Sequence, residues 1–312
     1  MHLLIPFAAP DFPQGRPALR LQDLPNLQAL ISTLVPGLVE KGPEGDPAMP
    51  HERFKARLLG INNGAPGCTP WAALASAQGG RDTGDAAWAW ISPVHLIVGS
   101  AHVTLVDPAR LDLRDDESRE LLQAMAPYFA QDAITLEYQH PGRWLAHGPV
   151  FDGLACASLD RACGQEIQPW MPRVPQLRRL QNEMQMLLYT HPVNDARQAR
   201  GAVPVNSFWI HGSGKLPALI TPPRAAAPVE ANALRQPALQ GDVEAWQKAW
   251  AHTDATECHA LCQTLGDPSQ EPMLTLCGAR GSVTFGPRRR SWIQRMQAAL
   301  RPVALVQVLD TL

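Results

Sequence analysis

The densest group of residues able to do chemistry lies between His191 and Pro217. Six of its positions could together meet an anion: Asn194, Arg197, Asn206, Gly212, Gly214 and Lys215. Glycines let main-chain amides approach an anion, while arginine supplies a bidentate fork and lysine a point charge. We therefore expect a small phosphorylated or carboxylate ligand here. Alternatively, the glycines only make a tight loop, since Pro217 follows Lys215 and the spacing of a Walker loop is missing.

Two helices, a turn and a buried strand must position these residues. Residues Val174 to Tyr189 have a helical apolar period, and Pro192 opens a short second helix. Gly201 marks a turn before an apolar strand from Val205 to Ile210. The glycines would then lie in a loop at the exit of that strand, which is where ligands bind in α/β sheets.

The order of these residues resembles a known family. The pattern His-Pro-x-Asn-x-x-Arg, then Gly, Pro-x-Asn, an apolar strand and Gly-x-Gly-Lys-x-Pro is similar to the archaeal-type cofactor-independent phosphoglycerate mutases, within the alkaline phosphatase superfamily. A weaker similarity runs from Asp160 to Pro172. The stretch from Arg179 to Leu188 looks more specifically like a proteobacterial branch of RpfE-type regulatory proteins.

This resemblance implies a fold and a domain arrangement. It implies an alkaline-phosphatase-like α/β core built from the two ends of the chain, residues 1–112 and 205–312. Residues 113–204 would form an inserted α+β subdomain like the family's substrate lid. The family's enzymes use two metal ions, held by aspartates and histidines, around a serine or threonine nucleophile.

The chain departs from the family where those metals bind. The family has an Asp-Gly pair directly after the first strand, whereas this chain runs from Ile5 to Pro10 without a carboxylate and reaches Asp11 only later. No Asp-His pair occurs in the sequence, although two divalent ions require several carboxylates and imidazoles. We therefore expect no metal or other cofactor, no assigned catalytic residue, and a regulatory pseudoenzyme that binds a small anionic ligand or a protein partner.

Two rival functions remain open. The first is an active phosphoglycerate mutase or phosphatase with rearranged metal ligands. The second is a protein-interaction scaffold without a small ligand, for which Trp246, Trp250 and Trp292 would form an exposed surface.

Two other places in the sequence have residue types typical of a reactive site. Cysteine, histidine and aspartate side chains with zinc-ligand chemistry gather within eleven residues: His252, Asp254, Cys258, His259 and Cys262. No second cluster of similar density completes four ligands, so we expect no metal there. Cys68 precedes a predicted helix start, where a thiol can be reactive, but a buried apolar cysteine is the commoner outcome.

Strand-length apolar runs alternate with helical segments along the chain, which predicts an α/β fold with a mainly parallel sheet flanked by helices. The predicted strands are Leu3–Phe7, Ala87–Ile91, His95–Val98, Val103–Val106, Val205–Ile210, Leu274–Cys277 and Val303–Leu309. The further predicted helices are 113–130 and 242–265.

Composition excludes several classes of protein. Of 312 residues, 45% are hydrophobic and 18% charged, and the net charge is −2, which excludes disorder and gives no reason to expect nucleic acid. No apolar run is long enough to span a membrane, and the first residues have no basic leader. Six cysteines without a Cys-x-x-Cys pair indicate reduced thiols. We therefore expect a cytoplasmic protein without a nucleic-acid or membrane partner.

Overall fold

The structure is a computed structural model that describes residues 1–12, 15, 23–61, 65–100, 102–217, 227–267, 269–287 and 305–312. Its strands, in chain order, are β1 (His2–Ala9), β2 (Val35–Lys41), β3 (Trp88–Val94), β4 (Leu96–Val98), β5 (Val103–Leu105), β6 (Thr135–His140), β7 (Arg143–His147), β8 (Ser207–Gly214), β9 (Val229–Glu230), β10 (Met273–Gly278) and β11 (Gly281–Gly286).

Helices of very different lengths connect these strands. They are α1 (Pro25–Thr33), α2 (Pro50–Leu58), α3 (Trp71–Gln78), α4 (Asp115–Gln131), α5 (Leu159–Ala162), α6 (Pro175–Tyr189), α7 (Pro192–Ala199), α8 (Arg235–Gln240), α9 (Val243–Thr253), α10 (His259–Cys262) and α11 (Leu305–Asp310). A π-helical turn, Asp254–Cys258, joins α9 to α10.

The chain divides into two compact units. Unit 1 comprises Met1–Glu44, Met49–Leu58 and Pro222–Leu312, and unit 2 comprises Gly45–Ala48 and Leu59–Thr221. The predicted boundaries were 113–204 for the inserted part, so the observed insertion is larger. The reason is that β3 pairs with both β7 and β8, which ties residues before 113 and after 204 into the same sheet.

Unit 1 contains a five-stranded sheet in the order β2-β11-β10-β1-β9. Strand β1 pairs in parallel with β10 and β9, whereas β11 is antiparallel to both β10 and β2. The apolar run of β1 is buried on both faces from Leu3 onward, as expected of a strand between two neighbours that is covered on both sides. Trp246 and Trp250 of α9 are fully buried in the same core.

Unit 2 contains an antiparallel sheet in the order β6-β7-β3-β8, with a separate β4-β5 hairpin. One face of the sheet packs against α4 and α6, whose apolar stripes include Leu121, Phe129 and Leu180. Trp144 of β7 lies in this core and donates its indole N–H to Ser118 Oγ at 2.9 Å. This is the amphipathic helix packing that the period of the two helices predicts.

The α/β class is confirmed, but two details of the prediction are wrong. The described sheets are mixed in unit 1 and antiparallel in unit 2, rather than mainly parallel. Residues 305–310 form helix α11, not the end of a strand. Short apolar runs fit a strand or a buried helix equally well, so their pattern alone does not separate the two.

Within the described residues, no helix is both long and apolar enough to cross a membrane.

Candidate functional site

Asn194 holds the turn between α6 and β8 together. The residue is 2% exposed, and its amide nitrogen donates to Leu188 O at 2.7 Å and to Val205 O at 2.6 Å. Its side-chain oxygen accepts the main-chain N–H of Val205 at 2.8 Å. The amide group of Asn194 is thus bonded to the protein in this structure, and its role in ligand binding stays a prediction.

Arg197 is the most buried charged side chain of the predicted site, with no exposed surface. Its Nε donates to Val203 O at 2.9 Å, its Nη1 to Glu117 Oε2 at 2.5 Å, and its Nη2 to Leu111 O. A guanidinium so occupied cannot offer a fork to a ligand. In this structure Arg197 joins α7 to the start of α4, and its predicted contact with a ligand stays a prediction.

Glu117 is the counter-ion that sequence analysis missed. It accepts hydrogen bonds from Arg197, from Arg200 and from the main chain of Arg114. Burial alone would raise the pKa of Glu117, but the hydrogen bond from Arg200, that from the main chain of Arg114, and the charge of Arg197 lower it to about 2. The Arg197–Glu117 pair is thus a buried structural ion pair.

Asn206 connects the start of β8 to β4. Its Oδ1 accepts the main-chain N–H of Leu96 at 2.7 Å, and its Nδ2 donates to Leu96 O at 2.8 Å. These two bonds resemble the main-chain pairing of neighbouring strands, so Asn206 has a structural role here, and its predicted ligand contact stays a prediction.

The two glycines lie inside β8 rather than in a loop after it. Gly212 has a φ of +63°, and a Cβ there would lie 2.9 Å from the Trp90 ring; Gly214 has a φ of +138°, and its Cβ would meet Cys68 O at 3.2 Å. Glycine is required at both positions by backbone conformation and close packing. The structure therefore supports the alternative interpretation, in which these glycines only permit a tight local backbone conformation.

Lys215 is the predicted residue that remains accessible. Its Nζ lies 2.8 Å from Asp152 Oδ2, and this hydrogen bond raises the pKa of Lys215. Asp152 lines a cavity of about 420 Å³ that also includes Trp170, Met171 and Arg173. The volume is within the range of small-molecule sites.

The cluster near residue 254 fixes helix α1. Asp254 accepts the main-chain N–H groups of Asn26 at 3.2 Å and Leu27 at 2.7 Å, while Cys262 Sγ donates to Asn26 O at 3.3 Å. His259 Nδ1 lies 3.3 Å from Asn26 Oδ1. These groups serve helix packing, and burial raises the pKa of the Cys258 thiol, which disfavours the thiolate that zinc requires.

Cys68 and the two described tryptophans of the scaffold hypothesis are buried. Burial raises the pKa of Cys68, so the structure supports its interpretation as a small apolar residue. Trp246 and Trp250 have no exposed surface, which argues against a docking surface made of them. Trp292 lies outside the described residues.

The residues at the carboxyl ends of β1 and β10, two neighbouring parallel strands of unit 1, do not fit the two metal ions of the mutase family. Strand β1 ends in Ala8 and Ala9, and β10 ends in Gly278. A Cβ at Gly278 would lie 2.6 Å from a Leu312 side-chain carbon, so the space beside it is filled. Divalent ions need carboxylate or imidazole ligands, and these strand ends supply alanine and glycine.

Two acidic side chains of unit 1, one after β1 and one at the end of β9, have cationic partners. Asp11 Oδ2 lies 3.5 Å from Arg280 Nε, and Glu230 Oε2 lies 3.0 Å from Lys55 Nζ. Main-chain Leu312 O accepts from the N–H groups of Arg280 and Gly281 at 2.7 Å. These side chains of unit 1 therefore do not fit a pair of catalytic metal ions.

Unit 2 contains a second set of polar side chains, which the sequence analysis did not predict. Trp90, Ser92, Arg143 and His211 lie on the face of the sheet that turns away from α4 and α6. Strand alternation along β3 and β8 was the available signal, because residues two apart share a face. By contrast, His95 has a structural contact, with its Nδ1 2.8 Å from Pro204 O.

Comparison with known proteins supports the resemblance found in the sequence. The chain matches no family model. It is 27% identical over 213 residues to the "Probable 2,3-bisphosphoglycerate-independent phosphoglycerate mutase" of Geobacter sulfurreducens. The aligned residues cover 65% of this chain and 52% of the relative. The chain thus spans about half the length of the curated relative that it matches.

Two solved structures are also similar over most of the chain. One is the cofactor-independent phosphoglycerate mutase from Thermoplasma acidophilum, with 17% identity, a TM-score of 0.35, and coverage of 99% of this chain and 98% of that one. The other is the PH0037 protein from Pyrococcus horikoshii, with 12% identity, a TM-score of 0.44, and coverage of 95% and 92%. The resemblance to the cofactor-independent phosphoglycerate mutases is therefore confirmed at the level of sequence by the Geobacter relative, whereas the RpfE-type branch stays a prediction.

Proposed function

We propose that this chain is a phosphoglycerate-mutase-like protein that has lost metal-dependent phosphoryl transfer and acts as a cytoplasmic binding or regulatory protein. Its ligand would be a small phosphorylated or carboxylate molecule, or a protein partner. The relationship to the mutases supports the ancestry, and one observation in unit 1 carries the loss of catalysis.

That observation is the chemistry of the parallel strand ends. Ala8, Ala9 and Gly278 stand where two divalent ions would need carboxylates or imidazoles, and Leu312 fills the space beside Gly278. Without such ligands the pair of ions has no first coordination sphere from these strands, and the polarisation of a phosphoryl oxygen that the ions provide is lost.

The test is a turnover assay on the purified chain. The protein is incubated with Mg²⁺, Mn²⁺ or Zn²⁺ and 3-phosphoglycerate, formation of 2-phosphoglycerate and free phosphate is followed, and an active cofactor-independent mutase serves as positive control. We expect no turnover above the protein-free background. Metal-dependent production of either product would overturn the proposal.

The principal rival is an active mutase or phosphatase, which the Geobacter relative's name favours. The same assay separates the two functions, because a rearranged metal site would give turnover that a chelator abolishes.

A further inference from the structure

The face of the unit 2 sheet that turns away from α4 and α6 contains an unusual excess of hydrogen-bond donors. Trp90 of β3 pairs in register with His211 of β8, and Ser92 lies two residues further along the same face. Arg143 begins the neighbouring strand β7. This corner, defined by Trp90, Ser92, Arg143 and His211, does not include any residue of the site predicted from the sequence.

Arg143 is a partly buried cation without a counter-ion among the described residues. Its Cζ lies 4.6 Å from the centroid of the Trp90 ring, and its Nε donates to Gln139 Oε1 at 3.2 Å. Burial lowers the pKa of Arg143, so the guanidinium loses hydration that no carboxylate replaces. A cation placed in this way favours a bound anion, which would accept from its remaining N–H groups.

Arg119 of the same unit is a guanidinium that has a carboxylate partner. Its Cζ lies 3.7 Å from the centroid of the Tyr138 ring, and its Nε lies 2.6 Å from Asp115 Oδ2. Both arginines thus stack on an aromatic ring, but only Arg119 has a carboxylate partner. The pair therefore provides a matched comparison.

His211 and Trp90 add neutral donors to the corner. The His211 ring lies 5.4 Å from the Trp90 ring, and its Nε2 lies 3.1 Å from Ser92 Oγ. Burial, then the charge of Arg143, lowers the pKa of His211 to about 3 against an opposing effect of Asp160, so the imidazole is neutral at pH 7. The Trp90 Nε1 atom is buried and has no acceptor among the described residues.

We propose that Arg143, together with Trp90 and His211, binds the oxyanion group of a small organic ligand, either a carboxylate or a phosphate monoester. The proposal rests on the binding function proposed above and assigns that function a site. Arg143 supplies the charge and the bidentate fork, Trp90 supplies a buried N–H, and Ser92 orients the imidazole of His211. Asn194, Arg197 and Asn206 take no part.

The test measures binding of three probes by calorimetry: 3-phosphoglycerate, inorganic phosphate and acetate. Arg143→Met keeps most of the aliphatic stem and removes the charge, and Arg119→Met is the matched control. We expect Arg143→Met to weaken binding by about tenfold or more, as loss of a charge-assisted hydrogen bond does, and Arg119→Met to change it by less than about twofold. Phosphate binding without acetate binding identifies a phosphate ester, and the reverse identifies a carboxylate.

A second measurement is made on the wild-type chain and so does not depend on whether the Arg143 variant folds. The indole N–H resonance of Trp90, assigned with Trp90→Phe, should shift as the wild-type chain is titrated with the probe that binds. The proposal is overturned if every probe has a Kd weaker than about 10 mM, if Arg143→Met binds as tightly as the wild type, or if the Trp90 resonance does not move. Turnover of 3-phosphoglycerate would instead refute the loss of catalysis while leaving this anion site intact.

Discussion

At the scale of single residues, two polar side chains of the predicted ligand site make structural contacts with partners far away in sequence. Arg197 meets Glu117 from a position 80 residues later in the chain, and Asn206 meets Leu96 across 110 residues. The motif identified the right polar residues, but a sequence does not show which polar groups the fold has already satisfied. A buried ion pair of this kind makes stability depend on pH.

We expect the free energy of unfolding to fall in acid, because protonation of Glu117 removes its ion pairs. Its pKa falls from 4.5 in the unfolded chain to about 2 in the folded one, so its contribution is present above pH 4.5 and is lost as the pH falls towards 2. The shift corresponds to roughly 3 kcal/mol. Urea unfolding between pH 6 and pH 2 should show a fall that Glu117→Gln lacks, while Glu137→Gln, on an exposed pair with Arg81, retains it. Equal pH profiles for the wild type and Glu117→Gln would contradict the assignment.

Gly212 should tolerate no side chain. Its φ of +63° and the 2.9 Å approach to the Trp90 ring together should cost Gly212→Ala about 2–4 kcal/mol. Gly201 has a φ of +75° with open space around it, so Gly201→Ala, at about 1–2 kcal/mol, isolates the backbone component. The measurement is the urea midpoint of each variant. Similar losses for both would show that close packing at Gly212 contributes nothing.

At the scale of elements, long apolar or strongly periodic segments were predicted well and exposed ones were not. Strand β1 and helices α4 and α6 were found because their apolar faces are continuous or regular. Strand β2 was missed because it contains Pro36 and Gly37 and is mostly exposed at the edge of its sheet. Helix α1 was missed for a related reason, since the residue before it supplies no capping side chain.

The cap of α1 comes instead from the π-helical turn. Asp254 accepts from the N–H groups of Asn26 and Leu27 and from the Asn26 amide, so Asp254→Ala leaves buried donors unpaired. We expect a loss of about 2–4 kcal/mol in the free energy of unfolding. Asp242 caps its own helix through one exposed bond to Ala245 N, and Asp242→Ala should cost only about 1 kcal/mol. Chemical denaturation compares the two, and an equal cost would contradict the long-range cap.

At the scale of the whole molecule, the sequence predicted the resemblance to the cofactor-independent phosphoglycerate mutases and the α/β class, while the two units have other bounds than the predicted division. The resemblance implied an inserted part of residues 113–204, whereas the main segment of unit 2 begins at Leu59, and its antiparallel sheet uses β3 as well as β8. Strand direction depends on pairings between distant segments, and apolar patterning within one segment does not report it. The residue types near Pro6 to Asp11, in contrast, are given directly by the sequence, and the expectation that no metal binds there stays a prediction.

The most direct measurement of the central claim is a titration of the purified, metal-free chain with Mn²⁺, followed by electron paramagnetic resonance of the free ion. Because Ala8, Ala9 and Gly278 end the parallel strands β1 and β10, the account predicts that no pair of Mn²⁺ ions binds there. Two ions bound per chain with micromolar affinity, and lost in Asp11→Asn, would contradict it.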